Sequence, residues 1–310
     1  MTVIAATRVH DPVRGDQALP AGVLRRIRQV EIKARILADE ALLGTYRSVF
    51  RGSGLEFEEV REYEPGDDIR SIDWNVTARM GTPFIKKFRE DRELNILLAV
   101  DVSASSWFGS VDQSKRDLAA EVAALLAMTA MRSHDRVGLL RFAEGLQEWM
   151  PSRRGREHLL RVIRELLFAP PRRVRTEMTD AARFLTNITK KRSVVFLISD
   201  FLDVGLVDDP AVRMLGRKHD VVALVLNDPR ELELPNVGVV ALEDAETGRI
   251  AYVDTADGRL RDDYASAARR RRTERRQALA RMKIDSVDLY TDRPFVPALM
   301  ALFNARTRRN

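Results

Sequence analysis

The stretch Ile96-Leu97-Leu98-Ala99-Val100-Asp101-Val102-Ser103-Ala104-Ser105 decides the fold. Its first half is short and continuously apolar, the pattern of a strand buried on both faces. Its second half sets one carboxylate and two hydroxyls where that strand stops. In an open α/β sheet, ligands gather at the carboxyl ends of strands, where the strand order reverses. An Asp with two Ser at alternate positions offers only oxygen donors, and such donors suit hard cations: magnesium, manganese or calcium. A second role is open to the same residues, that of caps on the helices that follow.

Toward the C-terminus, buried strands and helices alternate. Ser114 to Arg132 reads as a helix that is apolar over a wide face, through Leu118, Val122, Leu125, Leu126 and Met128. Asp135 to Phe142 is a strand, Ala143-Glu144-Gly145 a hairpin turn, and Leu146 to Met150 a returning edge strand. A helix from Arg156 to Phe168 stops at Pro170-Pro171, and an Arg-rich linker, Arg172 to Arg175, leads through Thr176 into a helix ending at Lys190. Val194 to Ile198 is another buried strand, and it too ends in a carboxylate, Ser199-Asp200. There follow a helix to Lys218, a strand over Val221 to Leu226, a hairpin within Val237 to Val253 and a charged helix from Gly258 to Lys283. A last strand, Val287 to Tyr290, and a helix from Phe295 to Phe303 close the series. This alternation indicates a Rossmann-like α/β domain, with a mainly parallel sheet and helices on both faces.

Toward the N-terminus, Phe84 to Arg92 and Leu55 to Tyr63 read as short strands. Between them, Pro65-Gly66-Asp67-Asp68-Ile69-Arg70 marks a turn before Ile72-Asp73-Trp74-Asn75. Carboxylates beside arginines can form an acid/base pair or a structural network of turns and ion pairs anchored by Trp74. No His or nucleophile lies nearby in sequence, which favours the structural reading. From Leu24, the residues Ile27, Val30, Ala34, Leu37 and Ala41 form a helical stripe that Gly44 ends. Residues 1–20, with Pro12, Gly15 and Pro20, read as a loose leader. The expected division is therefore a leader over 1–20, a helix-plus-β region over 21–93 and the α/β domain over 94–310.

Composition bounds the function. Of 310 residues, 45% are hydrophobic and 32% charged, the mix of a globular protein, and the absence of cysteine excludes disulfides and thiolate chemistry. The start of the chain lacks the apolar core of a secretory signal, and no segment approaches the roughly 20 apolar residues of a membrane span, so a cytoplasmic protein is expected. The net charge of +6 is uneven: residues 256–310 hold 14 Lys/Arg and 7 Asp/Glu, which leaves the rest of the chain at −1. A basic tail on a near-neutral body does not mark a nucleic-acid-binding molecule. The four histidines have no ligand spacing, and no phosphate-binding glycine loop is present.

Parallel strands bring Asp101 and Asp200 to one sheet edge, where Ser103, Ser105 and the loop residue Thr176 can join them. Two carboxylates balance a divalent charge, and neutral hydroxyls leave the ion open to a further anion. Asp101-x-Ser103-x-Ser105, then Thr176, then Asp200 resembles the von Willebrand factor A fold and its metal-ion-dependent adhesion site. Arg61-Glu62-Tyr63, Gly66-Asp67-Asp68-Ile69-Arg70-Ser71-Ile72-Asp73-Trp74 and Ala78-Arg79 resemble the hallmark of a narrower group. That group is the MoxR-associated bacterial family catalogued as domain of unknown function number fifty-eight. The resemblance spans about Leu24 to Phe303. It implies that Ser103 and Ser105 contact a magnesium ion directly, that Asp101 and Asp200 do so directly or through water, and that Thr176 is a conditional ligand. It implies an open ion position for an acidic residue of a client, and a MoxR-type AAA+ ATPase as partner. Two departures stand out: Ser106-Trp107 follows the second Ser where many members have Met, and the loop before Thr176 is Arg-rich rather than Gly-rich.

Three functions follow. The first is a metal-dependent protein-interaction module, an adaptor for the ATPase, with Trp107 beside the site as a partner contact. The second is a magnesium-dependent phosphohydrolase of the haloacid dehalogenase type, using Asp101, Asp200 and Asp203. That chemistry needs an acid at position 103, where Ser cannot donate a proton near neutral pH, and no suitably placed lysine is evident. The third is nucleic-acid binding through Arg269 to Arg272, Arg275 and Arg276, residues that read more simply as a solvated helix face. The first reading, with no catalytic residue, is the expectation.

Overall fold

The computed structural model describes residues 21–50, 54–91, 93–167, 174, 176–202 and 209–309. The expected leader, most of the Arg-rich linker and Asp203 lie outside the described residues. Two compact units are present, one formed by residues 21–49 with 95–309 and the other by residues 50–94. The helices expected to share a region with the first strands therefore group with the sheet instead.

In the smaller unit, β1 (Gly54–Glu62) pairs antiparallel with β2 (Phe84–Asp91), with a bulge between Phe57 and Glu59. Asp73 caps α3 (Trp74–Met80), its Oδ1 accepting from the N–H groups of Asn75 and Val76. Arg61 donates to Asp67 Oδ1 at 2.7 Å, and Asp68 accepts from Arg70 N. The carboxylates of this motif thus serve turns and a cap. Trp74 does not anchor them, because its side chain is 68% exposed.

In the larger unit, the sheet is built from β3 (Asn95–Asp101), β4 (Arg136–Ala143), β5 (Gly145–Arg153), β6 (Val194–Ser199), β7 (Asp220–Asn227) and β10 (Asp285–Tyr290). Its spatial order is β10-β7-β6-β3-β4-β5, and every pair is parallel except β4 with β5. This is the doubly wound arrangement, expected from the von Willebrand factor A resemblance, in which strand order reverses between β3 and β6. Alternation along the strands sends successive side chains to opposite faces. Leu97, Ala99, Val195, Leu197 and Ala223 pack against α6 (Met178–Ile188), α7 (Pro210–Lys218) and α9 (Gly258–Arg281). The intervening residues, Ile96, Leu98, Phe196 and Ile198, are equally buried and face the side of α4 (Lys115–Arg132).

Helix α4 is buried nearly all round because α1 (Ala21–Leu37), α2 (Glu40–Val49) and α5 (Arg156–Leu167) cover its outer side. The N-terminal stripe is two helices, not one ending at Gly44. Asp39 breaks it by accepting from Leu42 N at 2.8 Å, an N-cap that restarts the helix, and Gly44 lies inside α2. Tyr46 then reaches under α4, donating to Asp135 Oδ2 at 2.9 Å, while α2 also packs on α10 (Val296–Thr307). A short helix, α8 (Pro229–Leu232), follows β7, and the hairpin of β8 (Val239–Glu243) and β9 (Ile250–Asp254) packs one face on Phe108. Among the described residues no helix is long and apolar enough to cross a membrane.

Candidate metal centre

Strand β3 delivers Asp101 to the carboxyl edge of the sheet, and β6 delivers Ser199 and Asp200 to the same edge next door. Asp101 Oδ1 accepts from Ser103 N at 2.9 Å. Its Oδ2 accepts from Ser199 Oγ at 2.7 Å and from Thr176 Oγ1 at 3.0 Å. Thr176 Oγ1 lies 2.9 Å from Ser103 Oγ, which lies 3.2 Å from Ser105 Oγ. Asp200 directly follows Ser199, and its charge acts on Asp101. The five residues singled out from the sequence are therefore brought together, Thr176 included despite its Arg-rich approach. The cap alternative does not describe Ser103, whose side chain makes no capping bond to the turn at Ala104–Trp107.

The donor set, carboxylates and hydroxyls only, has the chemistry of a site for a hard divalent cation. The separations of 2.9, 3.0 and 3.2 Å among Thr176, Ser103, Asp101 and Ser105 are those of hydrogen-bonded oxygens, bonds that a bound ion would replace. Among the described residues no three His, Cys, Asp or Glu side chains form a metal cluster, so a cation here would depend on hydroxyl oxygens. Asp101, Ser103, Ser105 and Asp200 are buried, and Thr176 is the most open of the five.

Electrostatics distinguish the two carboxylates. Burial, and then the charge of Asp200, pushes the Asp101 carboxyl up to about 6. Burial also raises Asp200, but the Lys115 ammonium, with hydrogen bonds from Lys115 and Leu202 N, more than reverses it and leaves Asp200 below the usual carboxylate range. Lys115 Nζ donates to Asp200 Oδ2 at 2.7 Å and to Glu231 Oε1 at 2.6 Å. Arg275 donates to the Asp200 carbonyl at 2.9 Å. The sequence reading found no lysine suited to this site, and Lys115 corrects it. Ser199, Lys115 and Glu231 were all missed. Ser199 had a signal, being the last strand residue before the carboxylate. Lys115 had none, because a Lys at a helix start reads as surface.

Trp107 is half-buried, and the Arg116 guanidinium stands 3.9 Å from its ring centroid. One face of the indole is thus occupied by a cation–π contact. In the basic helix α9, Arg272, Arg275 and Arg276 pair with Asp288 at 2.9, 3.0 and 3.9 Å, so three of the six clustered arginines serve the fold.

Residues 59–274 match the family model described as protein of unknown function DUF58. The chain belongs to this family. Among its relatives are the uncharacterized protein Mb1516 of Mycobacterium bovis and the uncharacterized protein Rv1480 of Mycobacterium tuberculosis. Each is 34% identical over 97% of this chain and 95% of its own length. Three similar solved structures share 14% identity or less with the chain. They include BatB of Bacteroides thetaiotaomicron, covering 69% of this chain and 99% of its own at a TM-score of 0.41. An aerotolerance-related membrane protein of Bacteroides fragilis covers 70% of this chain and 100% of its own at 0.44, and the SpRpn10 VWA domain covers 69% and 95% at 0.35.

Proposed function

We propose that this DUF58 chain is a metal-dependent protein-interaction module, an adaptor for a MoxR-type AAA+ ATPase that engages an acidic residue of a client through a bound magnesium ion. One observation supports the metal part: the side-chain oxygens of Asp101, Ser103 and Ser105 meet that of Thr176, a residue distant along the chain, each within 3.2 Å of a neighbour at the sheet's switch point. Asp101, Ser103, Ser105 and Thr176 would hold the ion, joined by Asp200 directly or through water. The ion would act as a Lewis acid for a partner's carboxylate. Support for the ATPase comes from the Gly66 to Trp74 motif and its resemblance. The phosphohydrolase alternative lacks its general acid, because residue 103 is Ser and its hydroxyl sits among the other donors.

The test is a binding assay of the purified chain against a MoxR-type ATPase and its clients, with magnesium and with chelator. Partner binding and magnesium binding are expected to fall together in Asp101→Ala. Partner affinity unchanged by both chelator and the substitution would overturn the metal bridge. Turnover of a generic phosphoester that is lost in Asp101→Asn would replace the adaptor with an enzyme.

A further inference from the structure

Lys115 occupies an unusual place. It is the first residue of α4, directly after the Ser114 cap, where the helix dipole disfavours a positive charge. It is also fully buried, and lysines are almost never so unless paired. Tertiary contacts therefore hold it there against local preference. Its ammonium bridges Asp200 Oδ2 at 2.7 Å and Glu231 Oε1 at 2.6 Å. Glu231 is itself fixed, since its Oε2 accepts from Asp228 N at 3.1 Å in the capping box of α8. Asp228 is anchored further by Thr291 Oγ1 at 2.9 Å and by Ser110 N at 2.9 Å. The bridge thus joins four segments behind the donor cage.

We propose that Lys115 is a resident counter-cation of the candidate metal centre, competing with the divalent ion for Asp200, and that Glu231 restores the negative charge that Lys115 removes. This inference rests on the metal reading above. Asp101, Asp200 and Glu231 carry three negative charges and Lys115 one positive. With Asp200 engaged by Lys115 and by hydrogen bonds, the cage facing the ion has one unshared carboxylate, Asp101. Such a site binds its ion weakly by itself and more tightly when a partner supplies another carboxylate. Lys115 and Glu231 are positioning residues here: they touch the ligand Asp200, or each other, rather than the ion.

The experiment is magnesium titration calorimetry on the full chain, paired with the shift in melting temperature that magnesium produces, for wild type, Lys115→Met, Glu231→Gln and the double variant. Lys115→Met is expected to bind magnesium at least tenfold more tightly and to show the larger melting shift. Glu231→Gln is expected to bind at least tenfold more weakly, and the double variant to return near wild type. A merely structural pair would weaken binding in both single variants. If Lys115→Met does not fold, the opposed effects of Glu231→Gln and the double variant carry the test. Wild-type binding that Lys115→Met leaves unchanged or weakens overturns this inference and leaves the metal reading standing. Binding by Lys115→Met alone supports it, with the lysine standing in for the ion. No binding by either protein overturns both.

Discussion

Ser199→Ala tests whether the cage is built as described. The Ser199 hydroxyl donates to Asp101 Oδ2 at 2.7 Å and accepts from Phe201 N at 3.1 Å, and both Ser199 and Asp101 are buried. Phe201 holds φ at +48°, a conformation costly for a residue with a side chain, and the bond to Ser199 is one of its restraints. Losing a hydrogen bond to a carboxylate costs about 1.5–3 kcal/mol, and leaving a buried N–H unpaired costs about 1–3 kcal/mol. With relaxation of the freed turn, a net loss of about 3 kcal/mol is expected, or about 6 °C in melting temperature for a unit of this size. Urea unfolding in chelator, followed by circular dichroism, reads this directly, with Ser199→Thr as the control that keeps the hydroxyl. Magnesium affinity should fall as well, since Asp101 loses the bond that orients it. A loss under about 0.5 kcal/mol for Ser199→Ala, of the size seen at ordinary surface sites, would refute the reasoning.

His219 is buried, and burial first, then the charges of Lys218 and Arg192, lowers its imidazole to about 4. The folded value lies below the unfolded one, so its contribution is complete above about pH 6.5 and is lost as pH falls toward 4. By pH 5 the wild type should have lost about 2 kcal/mol more than His219→Gln, measured from urea midpoints at pH 7 and pH 5; parallel pH profiles would exclude it. Tyr46→Phe removes the bond to Asp135 Oδ2 and should cost about 1.5–3 kcal/mol in urea unfolding with an unchanged slope. A cost near zero would mean that α2 does not dock through this residue.

Much of the sheet was legible because buried parallel strands are continuous apolar runs, and Ile96 to Val100, Val194 to Ile198 and Val221 to Leu226 are such runs. The hairpin turn at Ala143 to Gly145 was equally plain, with Gly145 at φ +76°. The break at Ala38-Asp39 was hidden because the apolar stripe runs through it, and the glycine that read as a stop is tolerated inside α2. Trp74 was misjudged because size suggests burial, while its place at the first turn of α3 exposes it. The cage was legible where chemistry sits on strand ends, at Asp101, Ser103, Ser105 and Asp200. Its rear wall was not, because the Lys115–Glu231 pairing joins positions 116 residues apart and neither belongs to a local pattern.

The packing of α2 on α4 and α10 has a consequence for synthesis. On the ribosome the Tyr46 segment emerges well before its supports, one of which lies in α10, where Ser48 Oγ meets Thr307 Oγ1 at 3.0 Å. Contacts of such long sequence separation form slowly, so the apolar side of the nascent helix waits without cover until residues 296–307 have been made. Truncation within 296–307 should therefore leave the N-terminal helices undocked and open to proteolysis.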